Sequence, residues 1–162
     1  MIANGLMTGV SDKVFAPNDL ITRGMFAQIL YRMAGEPEVE TSSTFTDVSA
    51  DEYYADAVAW AQSVGVINGM TETEFMPDSY ITREEIAVTI YRLASYAEFE
   101  VSATADLSVF TDNAAVSDWA RESLGWSVGY GVISGKENNT LDPQGNATRA
   151  EAAAMLQRFL EA

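Results

Sequence analysis

Three arginines share one local setting in this chain: Thr22-Arg23, Thr82-Arg83 and Thr148-Arg149, at offsets of 60 and 66 residues. Thr82 reads as a helix N-cap, and Glu85 three positions on completes a capping box. Ile81 and Ile86 flank it as a hydrophobic staple. Arg83 is then the first residue of its helix, facing the positive end of the helix dipole, where an anion is favoured over a cation. Two chemistries account for such an arginine. It pairs with a carboxylate of its own chain, or, together with helix N-terminal amides, it holds an anion from outside. Spacing alone leaves both open.

Composition removes most other chemistries. The 162 residues hold 9 Lys plus Arg against 24 Asp plus Glu, a net charge of −15. Such a surface repels nucleic acid and anionic membranes. With no Cys there are no disulfides, thiol nucleophiles or thiolate metal sites, and with no His the commonest general base and metal ligand are missing. The 24 acids include no pair placed for glycoside hydrolysis, and neither a phosphate loop nor a calcium loop is present. The reading is therefore of a non-enzyme without cofactor or metal. No apolar run approaches a membrane span, and "MIANGLMTGVSDK" lacks the features of a signal peptide.

The arginines belong to a larger repeat. Pro17, Pro77 and Pro143 keep the same two offsets, as do Gly9, Gly69 and Gly135, and Arg32, Arg92 and Arg158. Agreement across unrelated residue types marks internal repetition. Upstream, Phe45-Thr46-Asp47 pairs with Phe110-Thr111-Asp112, Tyr54-Ala55 with Trp119-Ala120, and Trp60 with Trp126. The first unit lacks this upstream helix. The predicted boundaries are 1–37, 45–97 and 110–162, with 35–44 and 97–109 as surface linkers.

Each full unit reads as helix, Gly turn, Pro loop, helix. First helices are predicted near 53–64 and 117–130, ended by Gly at a left-handed C-cap. Second helices are predicted near 22–34, 82–96 and 148–161, with an apolar stripe on one face. Ala27, Ala87 and Ala153 recur on that stripe. A small residue there suits close approach of three helices about a pseudo-threefold axis; a linear stack is the competing arrangement. Gly24 removes the capping box of the first unit, and inside a helix it costs about 1 kcal/mol against Ala. Trp60 and Trp126 are expected in the core.

Taken in order, these motifs resemble the S-layer homology module, over essentially the whole chain. The shared features are Phe45-Thr-Asp47, Tyr54-Ala55, the turn Gly65 to Gly69, Phe75-Met-Pro77 and Thr82-Arg-Glu-Glu85. The third unit has Phe110-Thr-Asp112, Trp119-Ala120, Gly131 to Gly135, Leu141-Asp-Pro143 and Thr148-Arg-Ala-Glu151. The resemblance implies a mainly α, pseudo-threefold domain with the Thr-Arg helices at its centre. It implies non-covalent anchoring at the bacterial cell wall or S-layer, outside the cell. The implied partner is a secondary cell wall polysaccharide, commonly with a pyruvate ketal on N-acetylmannosamine, held in grooves between repeats. The motif arginines are its expected anion partners.

The expected ligand-binding residues are Arg83 and Arg149, then Arg23, whose unit is incomplete. Gly9, Gly69 and Gly135 are expected either to adopt positive φ or to let the ligand reach bare backbone. Tyr54 and Trp119 are groove candidates by resemblance, with core packing as competitor. Asp47 and Asp112 either cap the first helices or accept sugar hydroxyls. The incomplete first unit leaves room for self-association. The alternative function is a helical interaction module in which the arginines are internal.

Overall fold

The computed structural model describes Met7, residues 16–102 and residues 104–161. Among the described residues five α-helices carry the fold: α1 (Arg23–Met33), α2 (Ala55–Ser63), α3 (Arg83–Tyr96), α4 (Arg121–Gly129) and α5 (Arg149–Glu161). Short 3₁₀ turns at Leu107–Val109, Asn113–Ala115 and Asp118–Ala120 precede α4. The described residues form no sheet, only isolated antiparallel bridges such as Thr22–Tyr80 and Thr82–Asn146. The fold is mainly α, and both sets of helices lie within a few residues of the spans expected from sequence. None of the helices is long and apolar enough to cross a membrane.

The chain forms two compact units, Met1–Tyr80 and Ile81–Ala162. Each pairs a Thr-Arg helix with the first helix of the following repeat. In the first unit α1 packs on α2, with the Tyr31 and Trp60 rings 5.8 Å apart. In the second unit α3 packs on α4, with Tyr91 and Trp126 5.5 Å apart. Trp60 and Trp126 are buried, as expected. Phe26, Leu30, Val58, Val66 and Phe75 are fully buried in the first unit, and Ile86, Ile90, Leu124, Ile133, Leu141 and Leu156 in the second. Ala27 and Ala87 are fully buried, while Ala153 is half-buried.

Capping follows the sequence. The Thr82 hydroxyl accepts from Glu85 N at 3.2 Å, and Glu85 accepts from Thr82 N at 3.2 Å. Thr148 and Glu151 repeat the box at 3.2 and 2.9 Å. Thr22 keeps only its half, accepting from Met25 N. Gly65 and Gly131 follow the C-caps of α2 and α4 with φ of 72° and 73°, which is the conformation glycine adopts without strain.

Two expectations need correction. The stretch 97–109 is not wholly a surface linker: Ala105 N donates to Gly125 O at 2.9 Å, and a Cβ at Gly125 would lie 2.5 Å from Thr104 Oγ1. Gly125 and Gly129 make α4 bare enough for this segment to lie against it. Nor is Gly24 a simple helix weakness. A Cβ there would lie 2.9 Å from the Tyr54 ring and 3.2 Å from Pro77 O. Gly24→Ala should therefore lower stability by about 1–2 kcal/mol, reversing the sign helix propensity assigns, as urea unfolding would show.

Candidate functional site: the arginine clamp and its cleft

The first turns of α1 and α3 are already occupied by backbone. Arg23 N donates to Ser79 O at 2.9 Å and Gly24 N to Pro77 O at 2.8 Å. In the second unit Arg83 N donates to Gly145 O at 3.0 Å and Glu84 N to Pro143 O at 2.8 Å. The next amide goes to the Thr cap. These helix starts thus bind the Pro loop of the following repeat, and their amides are not open to an outside anion. That corrects one half of the anion reading.

The arginine side chains extend the same clamp. Arg23 Nε donates to Phe75 O and Nη2 to Asn68 O, both at 2.9 Å, with the guanidinium 4.8 Å from the centre of the Phe75 ring. Arg83 Nε donates to Leu141 O at 2.8 Å and Nη2 to Ser134 O at 3.2 Å. Each arginine thereby ties the Gly turn to the Pro loop. Carbonyl oxygens supply the negative end that the helix dipole does not. The placement of a cation at the helix start is explained by where its far end reaches.

Asp47 and Asp112 hold that loop from the other side. Asp47 accepts from Phe75 N at 2.9 Å and Met76 N at 2.7 Å. Asp112 accepts from Leu141 N at 2.8 Å and Asp142 N at 2.7 Å. Neither caps a helix with its side chain. The residue before each repeat proline, Ala16, Met76 or Asp142, has φ between 50° and 58°, a left-handed value that a non-glycine residue adopts only when its surroundings impose it.

Gly69 and Gly135 do not have positive φ. A Cβ at Gly69 would lie 2.5 Å from the Phe45 ring and 2.4 Å from Thr71 O, and one at Gly135 would lie 2.8 Å from the Phe110 ring. The Phe of the Phe-x-Asp motif lies over this glycine, which explains both residues. Gly9 lies outside the described residues.

One cleft opens beside the second clamp. It has a volume of about 150 Å³ and is lined by Arg83, Ser134, Gly135, Lys136, Glu151 and Arg158, among others. Three of the nine basic residues thus converge on one hollow of a chain with net charge −15. Glu151 lies between them, 3.3 Å from Arg83 Nη1 and 3.0 Å from Lys136 Nζ. Lys136 also meets Asp142 at 2.7 Å, and Arg158 donates to Ser134 Oγ at 3.3 Å. Partial burial pushes the Glu151 carboxyl up, but the Thr148 amide, Lys136 and Arg83 outweigh it and hold it below its ordinary value. Burial pushes the Arg83 guanidinium down from its ordinary value, though it keeps its charge at neutral pH.

The predicted residues are distributed unevenly around this cleft. Arg83 and Gly135 line it. Arg149 is buried at the start of α5, and Arg23 is buried in the first unit. Tyr54 and Trp119, equivalent in sequence, differ in exposure at 6% and 60%. The Tyr54 ring packs over Gly24. At the matching place in α3, Glu84 instead accepts from Ser117 N at 3.0 Å and Ser117 Oγ at 2.7 Å, and Trp119 stands outside. Tyr54 is thus a core residue. Trp119 is on the surface and does not line the cleft. Sequence reasoning missed Lys136, Ser134 and Arg158. Lys136 carried a readable signal, a scarce cation directly after the turn glycine. Arg158 shows in the sequence only as the repeat equivalent of Arg32 and Arg92.

The fold and motifs define a helical repeat module, and comparison with known proteins places it. The S-layer homology domain model matches residues 1–27, 44–87 and 109–153. The chain belongs to the S-layer homology domain family, the anchoring modules of the bacterial cell surface. It is 36% identical, over 96% of its length, to an amylopullulanase of Thermoanaerobacterium thermosulfurigenes, covering 8% of that protein. It is 34% identical, over 99% of its length, to the surface-layer 125 kDa protein of Lysinibacillus sphaericus, covering 13% of that protein. It is 28% identical, over 96% of its length, to a cellulosome-anchoring protein of Acetivibrio thermocellus, covering 35% of that protein. The chain spans only a small part of these relatives. The enzyme name belongs to a far larger protein and assigns no hydrolysis to this segment.

Proposed function

We propose that this module anchors its protein non-covalently to the wall by binding a secondary cell wall polysaccharide with an acidic sugar, a pyruvate ketal on N-acetylmannosamine. The observation that carries the reading is the convergence of Arg83, Lys136 and Arg158 on one cleft of an acidic chain. A ketal carboxylate meets there the cations it needs. Arg83 uses Nε, Nη1 and Nη2 for one bond each within the protein, leaving two of its five donors for a ligand. Arg149 and Arg23 remain candidates for the corresponding sites of the other repeats, and exposed Trp119 for stacking on a neighbouring sugar. The internal bonds of Arg83 do not favour the interaction-module alternative, because clamp and ligand use different donors of that guanidinium.

Calorimetric titration with a pyruvylated N-acetylmannosamine glycan and its pyruvate-free counterpart tests this. The pyruvylated form should bind at least about tenfold more tightly, the scale of one charge-assisted hydrogen bond. Equal affinity for both would remove the acid from the reading, and no binding to either would overturn it.

A further inference from the structure

The three repeats offer an acid three different residues at one position. The residue after the second turn glycine is Val10, Met70 or Lys136. In the second unit Lys136 puts its ammonium 3.0 Å from Glu151 and 2.7 Å from Asp142, at the edge of the cleft that Arg83 enters. In the first unit Met70 follows Asn68, whose carbonyl takes Arg23, and its side chain is 51% exposed. Backbone and arginine are therefore arranged alike in both units, while the ion pair Lys136–Asp142 stands where the first unit has Met70 and Met76.

We infer that Lys136 is the specificity-determining residue that makes the Arg83 cleft acid-selective where the matching Arg23 turn is not. The inference rests on the proposed polysaccharide reading and deepens it. Glu151 is a carboxylate inside the cleft and repels a second one. Lys136 offsets it: an ammonium has three donors, and two go to Asp142 and Glu151, leaving the third for the ligand. Removing Lys136 leaves Arg83 already committed to two carbonyls and to Glu151. At the matching turn of the first unit a ligand carboxylate would meet Met70. An apolar side chain there strips water from the charge without replacing the lost hydrogen bond, so that turn disfavours the acid. Discrimination of this kind comes as much from the unsuitable turn as from the suitable one.

Calorimetry on the whole chain with the pyruvylated N-acetylmannosamine glycan tests the inference. Wild type should bind the glycan. Lys136→Met, which installs the residue of the second repeat, should weaken binding about tenfold or more, the scale of one charge-assisted contact. Lys136→Arg should keep most of the affinity, with melting followed by circular dichroism for all three proteins. Lys136→Met binding as wild type does, or Lys136→Arg losing as much as Lys136→Met, would overturn the inference. A wild type that binds no pyruvylated glycan is a different failure, which removes the polysaccharide reading and this inference with it.

Discussion

Arg83→Ala is expected to destabilise the second unit by about 3 kcal/mol or more before any ligand is considered. The side chain is 4% exposed. Truncation leaves Leu141 O and Ser134 O without their guanidinium donors and removes one of two cations beside Glu151. Each orphaned carbonyl costs about 1–3 kcal/mol if water cannot reach it. Arg83→Lys should recover less than half of the loss, because one ammonium does not span two carbonyls reached by Nε and Nη2. Urea unfolding of the three proteins decides the matter. An Arg83→Ala protein that unfolds like wild type but no longer binds glycan would make Arg83 purely a ligand residue and refute the clamp. The expected result has a practical consequence: lost binding in Arg83→Ala cannot by itself assign a ligand contact, whereas Lys136, half-exposed at the cleft edge, gives a cleaner test.

The sequence carried the helices well because their signals are local. Thr82 with Glu85 and Thr148 with Glu151 mark helix starts through bonds made within one turn, and Gly65 and Gly131 mark ends through a backbone angle. The partner of Arg83 was illegible for a physical reason. Backbone carbonyls exist at every residue, so Leu141 O and Ser134 O leave no letter in the sequence to find. The two partners the sequence suggests, a carboxylate or an outside anion, both carry a charge, and only Glu151 is one of them. The sequence leaves Gly69 and Gly135 between positive φ and bare backbone for a ligand, yet the Phe45 and Phe110 rings over them set the requirement from more than 20 residues away. Tyr54 and Trp119 align perfectly and still part company, because Tyr54 packs over Gly24, whereas at the matching place Glu84 bonds Ser117 and Trp119 stays exposed. A repeat shows which positions correspond; it does not show that they have the same neighbours.

Asp112→Ala should lower stability by about 2–3 kcal/mol, although Asp112 lines no part of the cleft. Its carboxylate is the acceptor for two consecutive amides, Leu141 N and Asp142 N. Asp142 is held at φ 51°, and the bond to Asp112 is part of what holds it there. Without it, the loop is freed from a strained angle and loses its reason to stay. The same loop presents Leu141 O to Arg83 and Pro143 O to the start of α3, at 2.8 Å in both cases. Relaxation of the loop should therefore loosen Arg83 and weaken glycan binding at a distance. Asp112→Asn keeps one acceptor oxygen and should fall between wild type and Ala. Asp47→Ala should behave alike in the first unit, since Asp47 accepts from Phe75 N and Met76 N at nearly the same distances. Thermal melts measure the first effect, and titration with the pyruvylated glycan measures the second. If Asp112→Ala melts as wild type does, the loop is fixed by Arg83 and the helix start alone. If Asp47→Ala weakens binding as much as Asp112→Ala, the acid site does not belong to the second unit, and the assignment to Lys136 falls with it.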